Sequence, residues 1–269
     1  MPENLIKSGF LYDKTKTRRI CILDRVIRTA LFVFIITGLA FSSVVVYQTG
    51  VENAYRASLS STYSYTCVIT TDSLLSNVTL FIPVPADMQG NSPIVERFST
   101  RDITGIPDDW SVSLYDTGKA TMVRISTPAI PPTGNTSEKN PLTFVLSSEI
   151  QSERVIDSRD PEQNSALFRP VREVRQVTCP PDSSAINGTP RCYHYLTSLY
   201  ADYQTSPAAR VEISSSITGN NTWKIFEPRS NEYTSTITLN MSGENRGWQK
   251  VDGFLKNNTG SYDAPDIMP

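Results

Sequence analysis

The stretch Thr234-Ser-Thr-Ile-Thr-Leu-Asn-Met-Ser242 alternates between polar and apolar side chains. Its apolar side chains are Ile237, Leu239 and Met241. Its polar side chains at the intervening positions are Thr236, Thr238 and Asn240. Because successive side chains of an extended chain point to opposite faces, this pattern predicts a β-strand with one buried face and one solvated face.

Comparable short patterns precede this stretch and are separated by turn residues. Trp110–Tyr115 and Ala120–Ile125 flank the Gly-containing loop 116–119, an arrangement typical of a β-hairpin. The run Asn77–Ile82 ends at Pro83-Val-Pro85, where the prolines remove amide donors that a further strand pair would need.

With the further strands predicted below, a strand occurs about every ten residues along the sequence. Arg210–Thr218 alternates with three apolar side chains on one face: Val211, Ile213 and Ile217. Weaker candidates are Tyr63–Thr70, Leu142–Ile150, Thr222–Phe226 and Trp248–Phe254. Many short strands between turns are typical of an antiparallel β-sandwich, so we predict an all-β domain over residues 61–256.

Two segments depart from this rhythm. Residues 151–190 are rich in charged residues and proline. This composition fits either a long connection within one domain or a linker between two domains. We favour one domain with a possible split in this segment, because each half alone offers only five or six plausible strands. Residues 257–269 are polar and contain proline, and we expect them to form a disordered tail.

A single long apolar run lies near the N-terminus. Residues 29–47 contain no charged side chain. As a helix they would span ~28 Å, close to the ~30 Å of a bilayer hydrocarbon core. We therefore predict a transmembrane signal anchor that contacts the lipid bilayer. The alternative is a cleaved signal peptide with Gly38-x-Ala40 as its cleavage site, although the apolar run continues beyond that site.

The charge distribution predicts the orientation of this helix. Residues 1–28 contain seven Lys/Arg and three Asp/Glu, whereas residues 48–269 contain eighteen and twenty-four. Basic residues favour the cytoplasmic side of a membrane. The residues expected to determine the topology are Lys14, Lys16, Arg18, Arg19, Arg25 and Arg28. We predict a cytoplasmic segment 1–28, a juxtamembrane linker 48–60 and a domain outside the cell.

The four cysteines divide between the two predicted sides. Cys179 and Cys192 bracket a loop with two adjacent prolines and few apolar side chains. A disulfide between them would contribute roughly 3 kcal/mol by restricting the unfolded chain, and it would persist outside the cell. Cys67 lies in an apolar strand pattern and is expected in the core, while Cys21 precedes the membrane segment.

Six Asn-x-Ser/Thr sequons follow the predicted anchor, and we expect them on a glycosylated surface. They begin at Asn77, Asn135, Asn187, Asn220, Asn240 and Asn257.

The sequence carries little sign of catalysis. Its one histidine, His194, argues against imidazole catalysis, and no nucleophile, zinc-protease or phosphate-loop motif is present. Two acidic clusters, at 102–109 and 157–162, lack EF-hand spacing and are expected to be solvated. The net negative charge of the exterior part disfavours nucleic acid. We expect no cofactor and no enzymatic activity, although a glycosidase carboxylate pair needs no sequence motif.

One stretch suggests a binding surface, because it contains Tyr193, Tyr195, Tyr200 and Tyr203. We expect at least half of these rings in the core. The chain organisation and the segment Asp72-Ser-Leu-Leu-Ser-Asn-Val-Thr-Leu-Phe-Ile-Pro-Val-Pro85 resemble uncharacterised archaeal single-pass cell-surface proteins, a resemblance that implies no activity. We predict a membrane-anchored cell-surface binding or structural module, with cell-envelope proteins or glycans as partners. The alternatives are a glycan-active enzyme and a surface filament subunit.

Overall fold

A computed structural model describes residues 14–118, 120–131, 142–180 and 189–262, and gives side chains from Val26 onward except Leu142. The chain divides into two compact units, Met1–Ala54 and Tyr55–Pro269. The first unit contains the apolar helix, and the second is built mainly from β-strands.

Helix α1 is continuous over Lys14–Ser58. Within it, Val26–Ser58 is long and apolar enough to cross a membrane, and none of its most apolar window is buried. The helix extends past residue 47, so most of the expected linker 48–60 is helical. Only Leu59 separates this helix from the first strand.

The second unit contains twelve strands and two short helices in its described residues. The strands are β1 Ser60–Thr71, β2 Leu75–Pro83, β3 Pro85–Ala86, β4 Ser111–Asp116, β5 Thr121–Ile130, β6 Leu142–Ser152, β7 Leu167–Phe168, β8 Arg172–Val177, β9 Arg191–Gln204, β10 Arg210–Lys224, β11 Pro228–Ser242 and β12 Asn245–Gly260. The helices are α2 Val95–Thr100 and α3 Pro161–Asn164.

Ten of these strands form one antiparallel sheet. Nine follow the order β4-β5-β2-β9-β12-β11-β10-β1-β6, and β8 pairs with β9 beside this path. Strands β3 and β7 form a separate two-stranded sheet. The predicted all-β, antiparallel character is confirmed. The sandwich is not confirmed, because the long strands belong to one curled sheet rather than to two sheets packed face to face.

The curl brings the two edges of the large sheet together. Thr104, which precedes β4, forms an isolated antiparallel bridge with Ser147 of the other edge strand, β6. The rings of Trp110 and Phe144 lie 5.0 Å apart at the same seam. These contacts cover strand edges that would otherwise present unpaired backbone groups to solvent.

The alternation read from the sequence separates the inner and outer faces of the curled sheet. On β10 and β11 the inward side chains are buried: Val211, Ile213, Ile217, Ile237 and Leu239. Met241 is partly buried against the same core, and Asn240 is exposed. The predicted faces of these two strands are therefore confirmed.

Two connections between strands fill the interior of the curl. On α2, in the first connection, the Phe98 ring lies edge-on to Tyr65 at 5.7 Å. In the second, Phe168 is fully buried and the carbonyl of Ala166 accepts a hydrogen bond from the Tyr233 hydroxyl at 2.7 Å. The described part of 151–190 thus packs within the same compact unit as the sheet.

Within the second unit, the last turn of α1 packs on the end of β10. The Tyr55 ring lies 5.8 Å from the Trp223 ring, and both side chains are buried. The Ser58 hydroxyl donates to the Lys224 carbonyl and accepts from the Lys224 amide, each at 2.9 Å. These contacts fix the place where the chain passes from helix into sheet.

The C-terminal boundary lies later than expected. Strand β12 continues through Gly260, into the range predicted as a disordered tail. The reason is visible in the side chains, since Asn257 and Thr259 take inward positions that extend the alternation of this strand. Residues 263–269 of the predicted tail lie outside the described residues.

Candidate functional site

Four aromatic side chains meet on the outer face of the large sheet. Phe81 of β2 lies at the centre, with ring centroids 5.1 Å from Tyr115, 5.4 Å from Tyr200 and 6.5 Å from Trp248. The rings of Tyr200 and Trp248 are 5.5 Å apart. We call these four residues the aromatic platform.

Strand register brings the platform together. Phe81 of β2 is directly opposite Tyr200 of β9, and Tyr200 is directly opposite Trp248 of β12. Three rings therefore form a row across three neighbouring strands, and Tyr115 reaches this row from β4. Aromatic pairs at opposing positions stabilise a sheet by about 0.2–1 kcal/mol each, so the platform is a rigid surface.

The platform combines packing with exposure. Phe81 and Tyr200 are half-buried beneath their neighbours. Trp248 is 54% exposed and Tyr115 is 50% exposed, although both are large apolar rings. Contiguous exposed aromatic surface on a folded domain commonly marks a place where another molecule binds.

Charged side chains of both signs border the rings. Asp202 and Arg246 occupy opposing outward positions on β9 and β12, with 3.9 Å between Arg246 Nε and Asp202 Oδ2. The Tyr200 hydroxyl donates to the same carboxylate oxygen at 3.2 Å. Desolvation and the Asp202 carboxylate raise the pKa of Tyr200, which keeps its hydroxyl protonated as a donor. Arg124 of β5 is exposed opposite Phe81.

The tyrosine stretch predicted to contain a binding surface divides between the two faces. Tyr195 and Tyr203 are buried in the core, as expected for at least half of the group. Tyr193 is half-buried near that core, and Tyr200 belongs to the platform. The other platform residues were missed, because they are distant in sequence. Their only sequence signal is an aromatic side chain at an outward position of an alternating strand.

The predicted disulfide between Cys179 and Cys192 is present, with their Cα atoms 5.2 Å apart. It connects the segment after β8 to the start of β9. Cys67 is free and fully buried, as predicted, and burial raises the pKa of its thiol to about 11. Side chains before Val26 are not described, so the prediction for Cys21 lies outside the described residues.

The predicted glycosylation sites differ in exposure. Asn77 and Asn240 are exposed on the outer face, and Asn220 is half-buried there. Asn257 differs from the expected surface position, because its side chain faces the core with 1% exposure. Its Oδ1 accepts no hydrogen bond from any described residue. Asn135 and Asn187 lie outside the described residues.

The predicted topology residues fall mostly outside the described side chains. Those of Lys14, Lys16, Arg18, Arg19 and Arg25 are not described, although the residues belong to α1. Arg28 is exposed on the same helix.

The other residues considered for catalysis or metal binding lie apart from one another. His194 is exposed on β9, with its ring 5.6 Å from Phe254. Asp102 forms an ion pair with Arg97, and Asp160 contacts Arg191 at 2.6 Å. Across the described ranges, no group of three His, Cys, Asp or Glu side chains could hold a metal ion.

One cleft contains two carboxylates, as a carboxylate-pair enzyme would require. Asp72 and Glu212 line a cavity of about 490 Å³ at the ends of β1 and β10. Asp72 Oδ1 accepts hydrogen bonds from the Arg210 amide at 2.8 Å and the Ser73 hydroxyl at 3.0 Å. This carboxylate therefore closes the β1–β10 end of the sheet in a structural role.

Comparisons with known proteins found no match to this chain among protein-family models, curated sequences or solved structures. Functional inference therefore rests on the geometry of the described residues.

Proposed function

We propose that this protein is a membrane-tethered cell-surface module that binds glycans through the aromatic platform. The observation that carries this proposal is the row of outward-facing rings formed by Phe81, Tyr200 and Trp248 and extended by Tyr115, in which Trp248 and Tyr115 are exposed.

The apolar helix supports the tether. Its outward side chains are large and apolar over more than a bilayer thickness, and no described part of the chain covers them. Exposing such a surface to water would cost about 25 cal/mol for each Å² of apolar area. Helix α1 is continuous through residue 40 to Ser58, and Tyr55 and Ser58 pack on β10 within the second unit. This continuity favours an uncleaved anchor over a removed signal peptide.

Two observations support an exterior location for the sheet unit. The basic residues of the chain before the helix fit the cytoplasmic side of a membrane. The Cys179–Cys192 disulfide fits an oxidising compartment. Both point to an N-terminus inside the cell and a sheet unit outside it.

Glycan recognition fits the chemistry of the platform. A sugar ring has an apolar face of C–H groups, which carry partial positive charge and attract the negative face of an aromatic ring. Its hydroxyls can accept from Arg246 and donate to Asp202 at the platform border. Because the border carries both charge signs, a neutral polyhydroxylated ligand fits it better than a polyanion.

The experiment is a binding assay on the full chain reconstituted in lipid nanodiscs. Soluble oligosaccharides of different linkage are titrated while tryptophan fluorescence and heat are recorded. We expect saturable binding, and Trp248→Ala should weaken it at least tenfold, or about 1.4 kcal/mol. The matched control is Met88→Ala, which removes an exposed apolar side chain elsewhere and should leave the affinity unchanged.

The outcomes separate the rival functions. Hydrolysis of an oligosaccharide would favour the enzyme alternative and direct attention to Asp72 and Glu212. Concentration-dependent self-association abolished by Trp248→Ala would assign the platform to contacts between copies, as in a structural lattice or filament. Absence of glycan binding across a broad panel would refute the proposed ligand class.

A further inference from the structure

The β10–β11 hairpin extends beyond both of its neighbours in the sheet. Its last backbone pair is Lys224 with Pro228. Neighbouring β1 begins at Ser60, opposite Thr222, and β12 ends at Gly260, opposite Asn231. The hairpin tip therefore projects freely from one end of the curled sheet.

The tip is more apolar than the next turn of the sheet. Its residues between the strands are Ile225, Phe226 and Glu227, and Phe226 is 73% exposed. The next turn, between β11 and β12 at the opposite end, consists of Gly243 and Glu244. Transfer of this exposed phenylalanine ring from water into an apolar medium would be favourable.

The projecting end is also the end at which the chain leaves the apolar helix. Tyr55 and Ser58 contact Trp223 and Lys224, which immediately precede the tip. Along the chain, Tyr55 lies eight residues after residue 47, the end of the uncharged run. As part of a helix these eight residues extend only ~12 Å. A membrane containing the run is thus within reach of this end of the sheet.

Basic side chains flank the apolar tip. Lys224 precedes Ile225, and Arg229 follows Pro228. Aromatic side chains favour the boundary between head groups and acyl chains, and neighbouring Lys and Arg are attracted to anionic head groups. The tip has this composition, with Glu227 as its one acidic residue.

We infer that the β10–β11 tip is a second membrane contact, in which Phe226 enters the interface of the bilayer that holds the chain's own helix. This inference rests on the tether proposed above. The contact would dock the sheet unit against the membrane at its helix-proximal end. The opposite end and the outer face with its aromatic platform would then remain in solvent.

The test uses the full chain in phospholipid vesicles containing anionic lipid. Phe226→Cys is labelled with an environment-sensitive fluorophore in a Cys21→Ser background, where Cys67 is buried and the other two cysteines are bridged. Glu244→Cys, in the opposite turn, is the matched control. Near-ultraviolet circular dichroism verifies that both labelled proteins are folded.

We expect blue-shifted emission at position 226 and several-fold stronger quenching by spin-labelled lipid there than at position 244. Removing the anionic lipid should reduce this difference. Equal, weak quenching at both positions in a protein that resists alkaline extraction would overturn the tip contact and leave the tether intact. Release of the protein by alkaline extraction would refute the tether and, with it, the tip contact.

Discussion

Replacing Gly253 tests whether the sheet requires a residue without a side chain beside Tyr195. Gly253 of β12 is opposite Tyr195 of β9. The Tyr195 ring crosses the glycine, and its hydroxyl shares a buried 2.8 Å hydrogen bond with Ser235 of β11, the next strand. A β-carbon at position 253 would lie 2.3 Å from Cε2 and Cζ of this ring, far inside contact distance. The sheet therefore needs a residue without a side chain here.

The expected cost follows from the two interactions that the β-carbon would disturb. Forcing an extra carbon into a packed core costs about 1–3 kcal/mol. Displacing the Tyr195 hydroxyl from Ser235 adds about 1 kcal/mol. The lower strand entropy of alanine returns about 0.5–1 kcal/mol. We expect Gly253→Ala to lower the free energy of unfolding by about 1–3.5 kcal/mol.

A double-mutant cycle separates this clash from other effects of the substitution. The clashing ring atoms are absent in Tyr195→Leu, so adding Gly253→Ala should then be neutral or slightly stabilising. Tyr195→Phe is the matched control, because it keeps the ring and removes only the hydroxyl. In that background most of the cost should remain.

The assay is equilibrium urea unfolding of the full chain in detergent micelles, followed by tryptophan fluorescence. An equal cost of Gly253→Ala in all three backgrounds would refute the argument. An independent repeat exists within the sheet, since a β-carbon on Gly219 would lie 2.4 Å from Cε1 of Tyr233 on the opposing strand.

Three further outcomes are expected from the described geometry. Reducing the Cys179–Cys192 bridge should lower the melting temperature by roughly 6–12 °C, corresponding to about 3 kcal/mol, and should leave the glycan affinity unchanged. Calorimetry with and without reductant measures this difference, and coinciding transitions would contradict it. Burial raises the pKa of the Cys67 thiol from 9.0 to about 11. As the pH rises, the unfolded chain therefore loses this proton first, and the contribution of the group to native-state stability falls between those pH values. A thiol reagent at pH 9 should react with Cys67 in urea and not in the native protein. In a glycosylating host, mass spectrometry should find a glycan on Asn240 and none on Asn257, and a glycan at the latter in folded protein would contradict its burial.

Much of the strand content could be predicted from local sequence. Alternation with period two predicted both faces of β10 and β11, and a Gly-containing loop predicted the β4–β5 hairpin. The predicted end of Arg210–Thr218 was too early, and most of the separate candidate Thr222–Phe226 belongs to the same strand, β10. The reason is that the ends of long strands contain residues with low strand propensity. Asn220 and Asn221 near the end of β10 are examples, and there backbone pairing with β1 and β11 outweighs propensity.

The order of the strands could not be predicted, because alternation assigns faces and not neighbours. β9 lies between β2 and β12 through pairings that no local pattern encodes. The expected sandwich is not confirmed for a related reason, because the face pattern does not say whether the strands form one sheet or two. Glycines at positions 219 and 253 leave room for a tyrosine ring from the neighbouring strand.

The aromatic platform could not be predicted from the sequence either, because local alternation does not say which strands are neighbours. Tyr200 was identified within a tyrosine-rich stretch, but Phe81, Tyr115 and Trp248 come from separate strands. Only the pairing of β2, β9 and β12 brings them together. By contrast, the disulfide was predictable, because its two cysteines bracket a loop that has little apolar surface to bury.

The outer face of the sheet carries different side chains on its two halves, and the comparison indicates that covering the sheet does not require the aromatic platform. On β10 and β11, outward positions carry hydroxyl side chains that pair across the strands: Ser214 with Thr238, Ser216 with Thr236, and Thr218 with Thr234. This half shows that small polar side chains suffice where the sheet meets water. On the other half, the corresponding outward positions are occupied by Phe81, Tyr200 and Trp248, and the exposure of Trp248 is unfavourable in the unbound protein. A ligand that covers the exposed rings of Trp248 and Tyr115 would remove that cost. The asymmetry between the two halves therefore supports the binding role proposed for this face.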